Sequence, residues 1–157
     1  MQMKSSLKPF LTALAILVAG GASADTAADQ RALLRLFADS CLKTYPTHSG
    51  INEIMAGKGF EKTDYDAWVG DDSFVNPAVK HSGGTSCFVS RQKTDPRSIH
   101  SILVNALSQA GAKDIKATVR GRKTDITLTL KGISTRVRAG PMSNGVASVA
   151  KIVIFQQ

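Results

Sequence analysis

The sequence predicts an α+β fold in which helices pack on one face of a largely antiparallel sheet, with one disulfide. Two stretches have apolar residues at the three- and four-residue spacing of amphipathic helices, whereas the last third of the chain alternates apolar and polar residues as strands do. A block of consecutive strands beside a few helices is typical of α+β domains. At 157 residues, 43% of them hydrophobic, the chain is expected to form one domain over residues 25–157.

The predicted helices have clear boundaries. The first covers residues 27–43, where apolar residues recur on one face until Pro46 ends it. A second, short helix is expected at about residues 50–56. Asp95 and Pro96 begin the third, because Asp is a favoured N-cap and Pro suits the first helical position. The apolar face of this third helix comprises Ile99, Ile102, Leu103, Ala106, Leu107 and Ala110.

The strands are predicted mainly in the second half of the chain. Residues 61–85 have no regular pattern and are expected to form a long connection held by Trp68, before a short strand at 87–89. Residues 152–155 are apolar at every position, which predicts a central strand. The alternating segments cover residues 117–120, 126–130, 135–138 and 146–155, with a turn at Asn144-Gly145 before the last.

Residues 1–24 are predicted to be a cleaved signal peptide. Lys4 and Lys8 precede an apolar run of ten residues, and Ala22-Ser23-Ala24 supplies the small residues of a cleavage site. The alternative, a membrane anchor, needs about 20 apolar residues to span the bilayer. We therefore expect export of a soluble chain that begins at Asp25 and has no transmembrane segment.

Cys41 and Cys87 are the two cysteines of the chain. An even number of cysteines in an exported protein predicts a disulfide, because the destination is oxidising. The alternative, a catalytic thiol, would leave the other cysteine unpaired in that compartment. The bridge would join the first helix to the sheet.

Positive charge is concentrated near the C-terminus. Residues 112–157 contain nine Lys and Arg against two Asp, a net charge of +7, whereas residues 25–111 have a net charge of −1. Strand alternation separates the cationic residues of this region from its apolar ones. If the strands are neighbours, these cations form one basic sheet face that binds anions; the alternative is a solvated face that keeps the sheet soluble. The candidate anion-binding residues are Lys116, Arg120, Arg122, Arg136 and Arg138.

Features that carry catalysis or bind metals are sparse. The acidic residues between 64 and 72 lack the spacing and the final Glu of a calcium loop. His81 and Ser82, beside two glycines, form the one segment resembling a reactive loop, but neighbours in sequence rarely align as nucleophile and base. We therefore predict no catalytic residue, no metal and no cofactor.

A set of residues between positions 36 and 87 resembles small secreted, periplasmic proteins of Gram-negative bacteria with a two-cysteine pattern. These residues are Leu36-Phe37, Cys41, Pro46, Gly59-Phe60, Trp68 and Cys87. The resemblance covers about half of the mature chain and concerns proteins without an assigned activity. It implies export and the disulfide, and it transfers no catalytic residue.

Together these features predict a periplasmic or secreted envelope binding or accessory protein. Its basic sheet face would meet an anionic polymer, a lipid head group or an acidic protein. Two alternatives stay open: a small periplasmic enzyme that uses the His81/Ser82 loop, and an inhibitory or structural protein that uses residues 61–85 as its contact loop. The sequence leaves the oligomeric state open.

Overall fold

The computed structural model describes residues 21–81, 84–142 and 149–157. Helix α1 (Gly21–Phe37) continues into a π-helical turn (Ala38–Leu42), and α2 (Ile51–Gly57) follows. A 3₁₀ turn (Pro96–Ser98) leads into α3 (Ile99–Gln109). The strands are β1 (Glu61–Lys62), β2 (Trp68–Val69), β3 (Ser73–His81), β4 (Gly84–Arg91), β5 (Lys113–Arg120), β6 (Lys123–Leu130), β7 (Ile133–Pro141) and β8 (Ala150–Gln156). The predicted α+β fold is confirmed.

The eight described strands form one antiparallel sheet in the order β1-β2-β3-β4-β8-β7-β6-β5. Each half of this sheet is a four-stranded meander preceded by a helix: α1 and α2 come before β1–β4, and α3 comes before β5–β8. The halves meet where β4 pairs with β8. The prediction that residues 152–155 form a central strand is confirmed, because β8 has strands on both sides.

The core lies between the helices and one face of the sheet. Leu33 and Phe37 of α1 and Leu103 and Leu107 of α3 are buried in one apolar cluster with alternate residues of the central strands. Alternation in a strand sends these residues to the helix side and their neighbours to the other side. The strand residues of the core include Cys87 and Val89 of β4, Ile152 and Ile154 of β8, Val137 of β7, and Ile126, Leu128 and Leu130 of β6.

The predicted disulfide is confirmed. Cys41, in the π-helical turn, is bonded to Cys87 of β4, with their Cα atoms 5.5 Å apart. Both residues are completely buried. The bridge therefore fixes the end of the first helix against a central strand of the sheet.

The helix predictions differ from the structure mainly at their ends. The first helix begins at Gly21 rather than residue 27, and the short helix covers 51–57. Asp95 caps the third as predicted, since its Oδ1 accepts a hydrogen bond of 3.0 Å from the backbone N–H of Arg97. This cap begins a 3₁₀ turn that precedes α3.

The expectation that residues 61–85 are an irregular connection is wrong. They form β1, β2 and β3, and β4 begins at Gly84. The ladder between β3 and β4 shifts register between Asn76 and Val79, so Pro77 lies where the ladder is irregular and a missing N–H is tolerated. Trp68 does anchor this region: it is 6% exposed, and its Nε1 donates a hydrogen bond to Asn52 Oδ1 at 3.2 Å.

Several sequence predictions lie wholly or partly outside the described residues, including the start, at 146–148, of the strand expected at 146–155. Residues 1–20 and the Asn144-Gly145 turn are not described, and the predicted cleavage point after Ala24 falls within the first turns of α1. Over the described ranges, no helix combines the length and the apolar character needed to cross a membrane.

Candidate functional site

The open face of the sheet is the face opposite the helices, and strand pairing fixes which side chains share it. Arg136 of β7 lies opposite Thr127 of β6 on one side and Phe155 of β8 on the other. Lys116 of β5 lies opposite Thr127 and extends the same row to the edge of the sheet. A parallel row contains Thr118, Asp125, Arg138, Val153 and Phe88.

A concave trough of about 980 Å³ lies on this open face over β5, β6 and β7; we call it the sheet trough. Its lining includes six Lys and Arg side chains against one carboxylate, Asp125, a formal net charge of +5. The six cationic residues are Lys116, Arg120, Lys123, Arg136, Arg138 and Lys151.

Asp125 holds two of these cations in place. Its Oδ1 accepts a hydrogen bond from Arg136 Nε at 2.7 Å, and its Oδ2 accepts a second, short one from Arg136 Nη2. Arg138 Nε lies 3.4 Å from the same Oδ2. The hydrogen bond from Arg136, supported by the charges of both arginines, lowers the pKa of Asp125, so this carboxylate stays ionised at neutral pH.

Arg138 is also fixed from its other side. Its guanidinium carbon lies 5.4 Å from the centroid of the Phe155 ring, in cation–π geometry. The two guanidinium groups are therefore oriented by contacts within the protein. A guanidinium has five N–H donors, and the pairing with Asp125 uses only part of that capacity.

The other cations of the trough have no ion pair among the described residues. Lys116, Arg120 and Lys123 are exposed, and Lys151 is half-buried beside Gly140. None of these four residues takes part in an ion pair of the described chain. The one carboxylate that lines the trough, Asp125, pairs with Arg136 and Arg138. Four cations thus line the trough with no carboxylate of the described residues within ion-pair distance.

The structure brings together four of the five candidate residues predicted from the sequence. Lys116, Arg120, Arg136 and Arg138 all line the sheet trough. Arg122 does not: it lies in the turn between β5 and β6. Its charge adds to the stronger effect of the Arg97 hydrogen bond in lowering the pKa of Asp95.

Sequence reasoning missed Lys123 and Lys151. Lys123 begins β6 and pairs with Arg120, and Lys151 lies opposite Gly140 of β7. The alternation of Lys151 with the apolar Ile152 was a usable signal. Lys151 lies near the other cations because β7 pairs with β8, and no local sequence pattern indicates that pairing.

The alternative reactive segment is only partly described. His81 is the last residue of β3, and Ser82 lies outside the described residues. The structure therefore gives the backbone position of His81 and no relation between the two side chains.

A second group of polar residues, around His48, is buried on the helix side of the sheet. His48 is 5% exposed, and its Nδ1 lies 3.2 Å from Thr44 Oγ1. Burial lowers the pKa of His48 to about 4. Nearby, Tyr45 Oη lies 2.7 Å from Thr135 Oγ1, a buried hydrogen bond between the first helical region and β7. A buried, neutral imidazole of this kind supports packing.

No family model, no curated protein and no solved structure matches this chain.

Proposed function

We propose that this protein binds an anionic ligand in the sheet trough and acts as an exported binding or accessory protein of the cell envelope. The observation that carries the proposal is the surplus of cations in one concave surface: six Lys and Arg side chains against one carboxylate. Export is supported by the N-terminal pattern and is compatible with the buried disulfide.

The shape of the trough favours a ligand over simple solvation. A concave surface lets one ligand contact several cations at once, and pockets for small ligands have volumes of about 300–1,000 Å³. The volume of about 980 Å³ lies at the upper end of that range. An extended anion with several charged groups would fill it better than a single small ion.

Repulsion among the cations of the trough also favours a bound anion. Like charges placed close together repel one another and destabilise the folded state, whereas a face needed only for solubility works equally well with mixed charges. Here one carboxylate serves six cations. An anionic ligand would relieve this repulsion, and the planar guanidinium groups of Arg136 and Arg138 match phosphate and carboxylate oxygens.

The test is retention on immobilised heparin and on immobilised polyphosphate, with elution by rising salt. The test variant carries Lys116→Gln, Arg120→Gln and Lys123→Gln, which remove three exposed cations of the trough. The matched control carries Arg31→Gln, Arg35→Gln and Lys43→Gln, which remove three exposed cations near α1.

We expect wild type and control to elute at higher salt than the test variant, because only the test variant loses cations of the trough. Salt elutes all three proteins because screening shortens the reach of charges to about 8 Å at physiological ionic strength. Equal elution of test and control variants would mean that overall charge, not the trough, causes retention. A wild-type protein that binds neither matrix at low salt would contradict the proposal.

A further inference from the structure

The open face has an apolar half beside its cationic half. Phe74 of β3, Phe88 of β4, and Val153 and Phe155 of β8 are each half-buried. The buried core and the residues packed against it lie on the helix side and include none of these four. They therefore form a separate apolar surface, which we call the aromatic stripe.

Strand pairing makes the stripe continuous and places it against the trough. Val153 lies opposite Phe88 on one side and Arg138 on the other. The rings of Phe74 and Phe88 have centroids 5.5 Å apart. Phe155 lies opposite Arg136 and beneath the guanidinium of Arg138. The arginines of β7 thus mark the boundary between the two halves.

We propose that the ligand is a single amphiphile, with a phosphate head in the sheet trough and an alkyl or acyl chain along the aromatic stripe. This inference rests on the proposed function and names the chemical class of its ligand. A contiguous apolar patch at the rim of a charged site marks a binding surface for a molecule with both characters. Charge complementarity would hold the phosphate head in the trough, and apolar contacts would hold the alkyl chain along the stripe.

The geometry favours one molecule over a membrane surface or a nucleic acid strand. The trough has a volume of about 980 Å³, which lies within the range of sites that hold a single small ligand. Base stacking needs open ring faces. Phe74 and Phe88 instead pack against each other with a tilt of 33°, and Arg138 covers one face of Phe155.

The experiment measures binding of butyl phosphate and dodecyl phosphate by isothermal titration calorimetry, at low salt and below the critical micelle concentration. The two probes share a head and differ by eight methylenes. A fully buried methylene contributes about 0.8 kcal/mol, which is about fourfold in affinity, and a chain on an open stripe is only partly buried. We therefore expect dodecyl phosphate to bind at least about tenfold more tightly.

The matched variants separate the stripe from the rest of the protein. Phe88→Thr together with Val153→Thr makes the stripe polar and keeps Phe155, whose ring contacts Arg138, in place. Val119→Thr is the control, since Val119 is 48% exposed and pairs with the buried Thr124 on the helix side of the sheet. We expect the double variant to lose most of the preference for the long chain and to keep its affinity for butyl phosphate. The control should behave as wild type. If the double variant fails to fold by circular dichroism, Val153→Thr alone should reduce the preference.

The outcomes distinguish this inference from the proposed function. Equal affinities for the two probes would overturn the amphiphile and leave anion binding intact. Absence of binding to both probes, and to heparin, would overturn both. Tight binding to phosphatidylglycerol vesicles without binding to monomeric dodecyl phosphate would replace the single molecule by a membrane surface. Tighter binding to oligothymidylate than to dodecyl phosphate would replace it by a nucleic acid.

Discussion

Removal of the Cys41–Cys87 bridge should cost the protein about 4 kcal/mol of unfolding free energy. The two residues are 46 positions apart, and in the chain-entropy model a loop of that size restricts the unfolded chain by about 13 cal/mol/K, or about 4 kcal/mol at 25 °C. The appropriate change is Cys41→Ala with Cys87→Ala, because both sites are completely buried and serine would place an unpartnered hydroxyl there.

The assay is urea unfolding at neutral pH, compared with thermal melting. A loss of about 4 kcal/mol should lower the melting temperature by roughly 12 °C for a domain of this size. Cys41→Ala alone should cost nearly as much as the double change, because either one breaks the same bond and the effects are not additive. A loss below about 1 kcal/mol in the double variant would refute the reasoning. It would mean that the bridge does not stabilise the protein by restricting its unfolded chain.

Two further predictions concern titration and capping. Because the pKa of His48 is about 4 in the folded protein and 6.5 when unfolded, the unfolded chain binds the extra proton between these values. Stability should therefore fall by about 3 kcal/mol as the pH decreases from 6.5 toward 4. His48→Gln should remove this part of the pH dependence, as measured by urea unfolding at a series of pH values. Parallel curves of stability against pH for the two proteins would contradict the prediction. Asp95→Ala should cost about 1 kcal/mol by loss of the N-cap, while Asp95→Asn keeps an acceptor and should lose less. Equal losses would mean that the ion pair with Arg97, rather than the cap, stabilises this helix start.

The sequence predicted the elements that have a clear local sequence pattern. Asp95-Pro96 indicated a helix start, alternation indicated β6, and apolar residues at successive positions indicated that β8 is central. Each of these signals depends on burial or capping within one segment. The disulfide was predictable for a different reason, because an even number of cysteines and an expected oxidising compartment favour a bridge.

Residues 61–85 were mispredicted because their signals are those of loops. Pro77 and the glycines before Thr85 break the alternation that would have indicated β3. The strand is stabilised by its pairing with β4, a tertiary interaction that overrides local preference. The π-helical turn containing Cys41 has no local signal either.

The trough was half predictable from the sequence. Alternation placed Lys116, Arg120, Arg136 and Arg138 on one side of their strands, and the structure brings them to one surface. Arg122 does not join them because it lies in the turn after the end of β5, where strand alternation no longer sets the direction of a side chain. The aromatic stripe was not foreseen, because Phe155 is far in sequence from Phe74 and Phe88 and joins them only through the pairing of β4 with β8.

The most direct test of the account is to locate bound anions on the molecule. Titration of ¹⁵N-labelled protein with tripolyphosphate at low salt, followed by amide chemical shifts, reports which residues sense the ligand. We expect the saturable shifts to lie in β5, β6 and β7, and in β8 near Lys151, and to diminish when the same titration is done in high salt. Shifts centred on α1 or α2, or no shifts at ten-fold excess of tripolyphosphate, would contradict the assignment of the sheet trough as the anion-binding site.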